Sequence, residues 1–140
     1  MFKVMGVDHI GIAVNDLDEV GKFWTEQIGI PCTGKEVVAE QKVETSFNPT
    51  PNGSEIELLA ATEPTSPIAK FIEKNGGRGG IQHIALRVDN IENAIADLMA
   101  KGVKMIDEKP RYGAGGAKIA FLHPKSTKGV LLEICEHEDR

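Results

Sequence analysis

Two histidines and two glutamates recur at matching places along the chain. His9 lies in Gly-Val-Asp-His-Ile-Gly-Ile-Ala-Val and His83 lies in Gly-Ile-Gln-His-Ile-Ala-Leu-Arg-Val, so the two stretches align at an offset of 74 residues (83 − 9). A second match sets Glu57 against Glu133 at an offset of 76 (133 − 57), after a two-residue insertion. The chain is therefore one unit written twice, and each copy carries one His and one Glu.

These residue types suit a metal site. Alternate side chains of a strand point to opposite faces, which separates His9 from Ile10 and Ile12 and separates Glu57 from its apolar neighbours. A charged Glu in an apolar strand costs free energy unless it is paired or binds a metal. A lone strand His or Glu is usually a surface or satisfied core residue, but recurrence of both types favours an N₂O₂ site for a divalent first-row metal. Glu55 shares the strand face of Glu57 and is a rival ligand, although the repeat selects Glu57.

Each copy is predicted to fold as β-α-β-β-β. In the first copy we expect a strand over 4–14, a helix from the N-cap Asp16 to Gly29, and strands over 36–40, 43–47 and 55–61. The second copy predicts a strand from about residue 80, a helix ending at Gly102, a short strand near 105–106, and strands over 118–122 and 130–135. A linker and a short helix join the copies.

The predicted fold class is α+β, with two tandem βαβββ modules related by a pseudo-twofold and forming a curved mixed sheet around a metal-binding cavity. We expect one domain over residues 1–140, with module 1 at about 4–62, the linker and short helix at 63–79, and module 2 at about 80–136.

Composition excludes several classes of function. With 140 residues and a net charge of −5, nucleic-acid binding is disfavoured, and no apolar stretch reaches the length of a membrane span. The first strand begins close to Met1, so no signal or transit peptide is expected. Cys32 and Cys135 form no Cys-x-x-Cys motif, which favours reduced thiols and a cytoplasmic location.

The whole pattern resembles the vicinal oxygen chelate (glyoxalase/bleomycin resistance/dioxygenase) superfamily and, within it, the methylmalonyl-CoA epimerases. The resemblance runs nearly end to end. Its more specific stretches are Ser-Pro-Ile-Ala-Lys-Phe (66–71), Gly-Ala-Gly-Gly (113–116) and Phe-Leu-His-Pro-Lys-Ser-Thr (121–127), beside the His motifs and the closing Gly-Val-Leu-Leu-Glu (129–133).

The resemblance implies a divalent metal ion, Co²⁺ first and Mn²⁺, Ni²⁺ or Zn²⁺ as alternatives. The metal ligands that it implies are His9, Glu57, His83 and Glu133. The catalytic glutamate of the family precedes a Gln, which Glu40 and Gln41 match. Lys42 departs from the family, which commonly has Gly there.

The implied reaction is R/S interconversion of methylmalonyl-CoA at C2, by proton abstraction and return through a metal-stabilised enolate. One base is needed on each face of the planar intermediate. Glu40 is the candidate for one base and Glu133 for the other. Lys125, Ser126 and Gly129, in the turn before the last strand, are candidates for holding the substrate carboxylate or the CoA arm. The resemblance also implies a homodimer.

Several residues and functions stay open at this point. Arg111, Lys118 and Lys128 are candidates for CoA phosphates, and residues 113–116 for a loop that closes over substrate. His123 is expected to be structural and His137 solvated. The rival functions are a glyoxalase-type lyase or isomerase on a thiol adduct, a two-His-one-carboxylate oxygenase, and a metal-free small-molecule-binding module.

Overall fold

The elements follow the duplicated pattern. In the computed structural model, which describes residues 1–138, eight strands are formed. They are β1 (Val4–Ala13), β2 (Gly34–Val38), β3 (Val43–Pro49), β4 (Glu55–Ala61), β5 (Gly80–Val88), β6 (Arg111–Tyr112), β7 (Lys118–Leu122) and β8 (Leu132–Glu136). The helices are α1 (Leu17–Lys22, continued by a π-helical segment Phe23–Ile28), α2 (Pro67–Lys74), α3 (Ile91–Ala100) and α4 (Pro124–Thr127). The α+β class and the mixed pairing of its strands are confirmed.

The described chain divides into two compact units, one of residues 9–82 and the other of residues 1–8 together with the chain from residue 83 onward. The first eight residues therefore belong with the second copy. Their backbone is tied there, since the Phe2 N–H donates to Asp97 Oδ2 at 2.8 Å and the Lys3 N–H donates to Asp89 Oδ1 at 2.9 Å.

In the unit of residues 9–82, the strand order is β2-β3-β4-β1. Strand β3 is antiparallel to β2 and β4, whereas β4 is parallel to β1. Leu58 packs with Leu17 of α1 on one face, and Leu59 packs with Ile68 of α2 on the other. Both faces of this sheet are therefore partly covered, because successive side chains of β4 point in opposite directions.

The other unit repeats this plan with the order β5-β8-β7-β6. Strand β8 is parallel to β5 and antiparallel to β7. Helix α3 buries Ile91 and Ile95 against Ile134 and Leu122 in the largest apolar cluster of the unit. A side-chain cap starts each of the two corresponding helices, Asp16 before α1 and Asn90 before α3, because the first N–H groups of a helix have no partner within it.

Three sequence predictions of strands are wrong in detail. The strand expected near 105–106 is only an isolated bridge between Met105 and Leu122, and the partner strand of β7 forms instead at Arg111–Tyr112. Residues 39–41 form a 3₁₀ turn rather than the end of a strand, because Lys42 adopts a left-handed conformation (φ 57°) that reverses the chain. Strand β8 starts at Leu132, two residues later than expected.

Gly79, just before β5, is required by close packing. A Cβ atom at this position would lie 2.3 Å from the carbonyl oxygen of Ala13. No other residue fits, since real Cβ atoms do not approach backbone so closely. Among the described residues, no helix has the length and apolar character needed to cross a membrane.

Candidate metal centre

The first His–Glu pair lies within the unit of residues 9–82. His9 is on β1 and Glu57 is on the neighbouring parallel strand β4, with Gly11 directly opposite Glu57. His9 Nδ1 lies 3.3 Å from Glu57 Oε2. Both residues are buried, with 6% and 7% of their surface exposed. The rival Glu55 is only half-buried, so burial separates the two carboxylates as the repeat does.

The second pair lies within the other unit and has the same N···O distance, although His83 turns Nε2 towards its glutamate where His9 turns Nδ1. His83 is on β5 and Glu133 is on the parallel strand β8, with Ala85 directly opposite Glu133. His83 Nε2 lies 3.3 Å from Glu133 Oε1, and the two residues are 6% and 4% exposed. Each copy therefore buries one imidazole against one carboxylate.

The surroundings of the two glutamates match as well. Each Glu lies between a small residue on the parallel neighbour, Gly11 or Ala85, and a phenylalanine on the antiparallel neighbour, Phe47 or Phe121. Each carboxylate residue thus has no bulky side chain opposite it on one neighbour and an apolar ring opposite it on the other. Phe47 and Phe121 stand 74 residues apart, so the offset of the histidines could have identified them, but sequence reasoning missed them.

The donor set fits a divalent metal ion. A charge-assisted hydrogen bond between N and O is usually about 2.7–2.9 Å long. Two ligands that each lie about 2.1 Å from a metal are instead about 3.0–3.4 Å apart at ordinary coordination angles. The N···O distance of 3.3 Å in both pairs matches this second spacing. Imidazole nitrogen and carboxylate oxygen are also the donors expected for Co²⁺, Mn²⁺, Ni²⁺ or Zn²⁺.

Glu40 lies in the 3₁₀ turn between β2 and β3, where its side chain is exposed. Lys42 fixes this turn from the following position. Its backbone N–H donates to the Ala39 carbonyl at 3.1 Å, and its ammonium donates to Thr65 Oγ1 at 2.9 Å and lies 3.4 Å from Glu63. With a φ of 57°, Lys42 lies in the left-handed region that glycine adopts most readily.

The candidate substrate residues lie in and after α4 rather than in a simple hairpin turn. Lys125 is exposed on α4, and Gly129 follows the helix with a φ of 107°. Ser126 Oγ accepts a hydrogen bond of 2.8 Å from the Lys104 N–H. His123 caps α4, since its Nδ1 accepts the Lys125 N–H at 3.0 Å, in agreement with its expected structural role.

The three cations considered for CoA phosphates have different surroundings. Arg111 Nε lies 3.2 Å from Asp107 Oδ1, and Lys118 Nζ lies 3.3 Å from Glu92 Oε2. The pKa of Lys118 is raised above its ordinary value, first by the hydrogen bond to Glu92. Lys128 ends α4 in a left-handed conformation and is exposed. Residues 114–116 form a 3₁₀ turn between β6 and β7.

The structure corrects the expectation that His137 is solvated. Its Nε2 lies 2.8 Å from Oδ1 of Asp8, which is 5% exposed. Ligand atoms of Asp8, Cys135 and His137 all lie within 4.8 Å of one another. Sequence reasoning missed Asp8, although an acid within the apolar strand β1 was a signal of a buried partner.

The chain matches the family model described as "Glyoxalase/Bleomycin resistance protein/Dioxygenase superfamily" over residues 8–121. The mitochondrial methylmalonyl-CoA epimerase of Dictyostelium discoideum is 39% identical over 93% of this chain and 77% of that protein.

Two solved structures are also similar. The crystal structure of methylmalonyl-CoA epimerase from Mycobacterium tuberculosis has 35% identity and a TM-score of 0.90, covering 95% of this chain and 88% of that one. A methylmalonyl-CoA epimerase in complex with methylmalonyl-CoA and NH₄⁺ has 36% identity and a TM-score of 0.89, covering 97% and 96%. With its duplicated His–Glu pairs, the chain belongs to the glyoxalase/bleomycin resistance protein/dioxygenase superfamily and, within it, to the methylmalonyl-CoA epimerase family.

Proposed function

We propose that this protein is an isomerase that interconverts the R and S forms of methylmalonyl-CoA at C2, with the help of a divalent metal ion. The observation that carries this proposal is the pair of buried His–Glu contacts, each 3.3 Å long and each repeated at the same place in its copy. Membership of the epimerase family supports the choice of reaction and substrate.

The proposed ligands of one metal ion are His9, Glu57, His83 and Glu133. Co²⁺ is the proposed ion because the family resemblance implies it first, and imidazole and carboxylate donors would equally suit Mn²⁺, Ni²⁺ or Zn²⁺. When bound, such an ion supplies positive charge that offsets the negative charge developing on the substrate carbonyl oxygen. The protein itself contributes the burial of its four donors, which excludes water from their surroundings.

Proton transfer needs a base on each side of C2. The C2 proton lies between a thioester and a carboxylate, and its removal leaves a planar carbon that can be reprotonated from either side. We assign one side to Glu40, whose carboxylate is exposed and so remains available to solvent for proton exchange. We assign the other side to Glu133, through the oxygen that does not face His83. Each carboxylate must come within hydrogen-bond reach of the carbon.

Lys125, Ser126 and Gly129 are proposed to hold the substrate. The ammonium of Lys125 is exposed and suits a carboxylate or a phosphate of the CoA arm. The Gly129 N–H already donates to the Pro124 carbonyl at 2.8 Å, so the proposed contribution of Gly129 is the space that its missing side chain leaves beside α4. Ser126 contributes by a different route, because its hydroxyl accepts the Lys104 N–H and thereby fixes α4.

The test is exchange of the C2 proton of methylmalonyl-CoA in D₂O, measured with the purified protein before chelation, after chelation and after cobalt is restored. We expect deuterium incorporation with loss of chirality that chelation abolishes and cobalt restores. No exchange from the cobalt-loaded protein would contradict the proposal and favour glyoxalase-type chemistry instead.

A pair of variants tests the assignment of bases. Glu40→Gln should abolish epimerisation while cobalt still binds, and Glu133 should still exchange the proton of one stereoisomer. Glu44→Gln is the matched control, since this acid lies on β3 close to the same turn and has no proposed role. Full epimerase activity of the Glu40→Gln variant would remove Glu40 from the mechanism.

We also propose a homodimer and a cytoplasmic location. The support for a second copy is the exposure of Val4, Met5 and Val7 on β1, about half of whose surfaces are open. Sedimentation analysis of the wild type against a Val4→Lys variant tests the dimer, and a monomer in both would contradict it.

The support for the cytoplasmic location is that Cys32 and Cys135 are both free thiols.

A further inference from the structure

A second layer of side chains surrounds the proposed ligand His83. The ring of Phe121 meets the imidazole of His83 edge to face, with the ring centroids 5.6 Å apart and the planes at 81°. The guanidinium of Arg111 lies over the same phenyl ring, 5.8 Å from its centroid. The order of contacts is therefore guanidinium, phenyl ring, imidazole.

Asp107 fixes the outer members of this arrangement. One carboxylate oxygen lies 3.2 Å from Arg111 Nε, and the other accepts the backbone N–H of Phe121 at 2.9 Å. The carboxylate thus hydrogen-bonds the strand that carries the ring and forms an ion pair with the cation, whose Nε makes no hydrogen bond within residues 1–138. The Asp107 side chain is only 16% exposed, so water competes weakly for these contacts.

The orientation of the His83 imidazole has to be fixed by neighbouring side chains. The last torsion of a histidine side chain is broad and roughly two-fold, so its own rotamer preference does not decide which ring nitrogen points in a given direction. His83 must present Nε2 towards Glu133 Oε1, at 3.3 Å. A phenyl ring packed against the imidazole restricts its rotation, and a cation over that phenyl ring restricts the phenyl ring in turn.

We propose that Arg111 and Phe121 are positioning residues, which hold the His83 imidazole in the orientation that metal binding requires. The inference rests on the proposed function, because it assigns His83 a metal-binding role. It reaches beyond that function because neither Arg111 nor Phe121 is among the proposed metal ligands. Removing residues that orient a metal ligand typically weakens metal affinity by about 10–100-fold.

The variants are Phe121→Leu, which removes the ring and keeps an apolar side chain, and Arg111→Met, which removes the charge and keeps the length. Phe121→Tyr should restore the wild-type behaviour, because it restores the ring. The matched control is Tyr112→Leu, an aromatic-to-leucine change at the next residue of β6, where the side chain is 66% exposed.

The first readout is the order of the His83 imidazole in the metal-free protein, measured by NMR relaxation of its ring carbon–proton pairs. We expect a more mobile ring in Phe121→Leu and, to a smaller extent, in Arg111→Met, with no change in Tyr112→Leu. A ring as ordered as in the wild type in the folded Phe121→Leu variant would overturn the proposal.

The second readout is cobalt affinity, measured by competition with a chelator, together with the visible spectrum of bound cobalt. We expect affinity to fall about 10–100-fold in Phe121→Leu, less in Arg111→Met, and to recover in Phe121→Tyr. Affinity and spectrum unchanged in both variants would overturn the proposal. His83→Ala tests the proposed metal site by itself, because cobalt binding unaffected by that change would contradict the site. The positioning role is decided separately, by the mobility of the His83 ring in the metal-free wild type and in the Phe121 and Arg111 variants.

Discussion

Both copies bury a His–Glu pair, but they differ in the imidazole nitrogen that faces the carboxylate and in the turns beside the pairs. Both pairs have an N···O distance of 3.3 Å. The 3₁₀ turn of the first copy carries Glu40, whereas Ala114 stands 74 residues later in the 3₁₀ turn of the second copy. Both copies thus carry the candidate metal ligands, whereas only the turn of the first copy carries a candidate base. Under the proposed function, each copy supplies one His ligand, one Glu ligand and one base, but the bases come from different positions, Glu40 in the first copy and Glu133 in the second.

A second difference lies in a strand pair of the first copy and the corresponding strand pair of the second. In the first copy, Glu36 pairs with Thr45, and in the second copy, Arg111 pairs with Ile119. An acid of one copy corresponds to a cation of the other, and the hydroxyl of Thr45 corresponds to the ethyl branch of Ile119. The copies have therefore diverged around two pairs that have not.

The largest expected effect is a difference in turnover between variants of Glu57 and variants of Glu133. Glu57 is proposed as a metal ligand and not as a base, and Glu57→Gln replaces one oxygen donor by another. We therefore expect turnover to fall by no more than about tenfold. Glu133→Gln also keeps an oxygen donor but removes a proposed base, and general-base catalysis is worth about 10²–10⁴-fold. The α-proton exchange rate and the cobalt content of both variants check this. Equal losses would show that the two copies contribute alike.

The helix caps give the next effect. Asp16 accepts the N–H groups of Asp18 and Glu19, at 2.9 and 3.0 Å, whereas the Asn90 side chain accepts only that of Asn93 among the described residues. Replacing such a cap by Ala costs about 0.5–2 kcal/mol. We expect Asp16→Ala to lie near the upper end of that range and Asn90→Ala near the lower end, as measured by urea unfolding. The reverse order would contradict the comparison.

A smaller effect concerns Thr45, which is 1% exposed. Its hydroxyl has no hydrogen-bond partner within residues 1–138, and a buried unsatisfied hydroxyl costs about 1–3 kcal/mol. Thr45→Val makes the first copy resemble the second at this position, and we expect it to stabilise the protein by about 1 kcal/mol after small packing losses. A loss of stability in urea unfolding would show that the hydroxyl has a partner in solution.

The smallest effect comes from two exposed ion pairs that tie α1 and α3 to strands. The Lys35 hydrogen bond is the main cause of the lowered pKa of Asp18, whereas for Glu92 the backbone hydrogen bond comes first and Lys118 second. A carboxyl whose pKa falls on folding stabilises the fold above its ordinary pKa and loses this contribution as pH falls through the lowered value.

We therefore expect Lys35→Met and Lys118→Met to lower the thermal midpoint slightly at pH 7, with the larger change for Lys35→Met. The ordinary pKa values are 3.8 for Asp18 and 4.5 for Glu92, so the difference from wild type should fade below them. High salt should also reduce it. A difference that persists at pH 2 would have another cause.

Much of this arrangement was predictable from sequence because duplication made the pattern visible. The 74-residue offset aligned the histidines, and strand alternation set each glutamate apart from its apolar neighbours. The pairing of β7 was less predictable, since two-residue β6 carries almost no periodicity and follows a proline. The Asp8–His137 contact was also hidden, because 129 residues separate the partners and neither lies in the repeat of ligands.

The assignment of residues 1–8 to the second unit has a consequence for how the chain folds. The partners of Phe2, Lys3 and Asp8 lie 95, 86 and 129 residues away. During synthesis, residues 2, 3 and 8 leave the ribosome long before these partners, and Asp8 can meet His137 only after the 128 residues between them have emerged. Contacts so distant in sequence slow folding and leave apolar strand surface open meanwhile. The start of β1 and the residues before it are thus synthesised before their partners and can form these contacts only after the partners emerge.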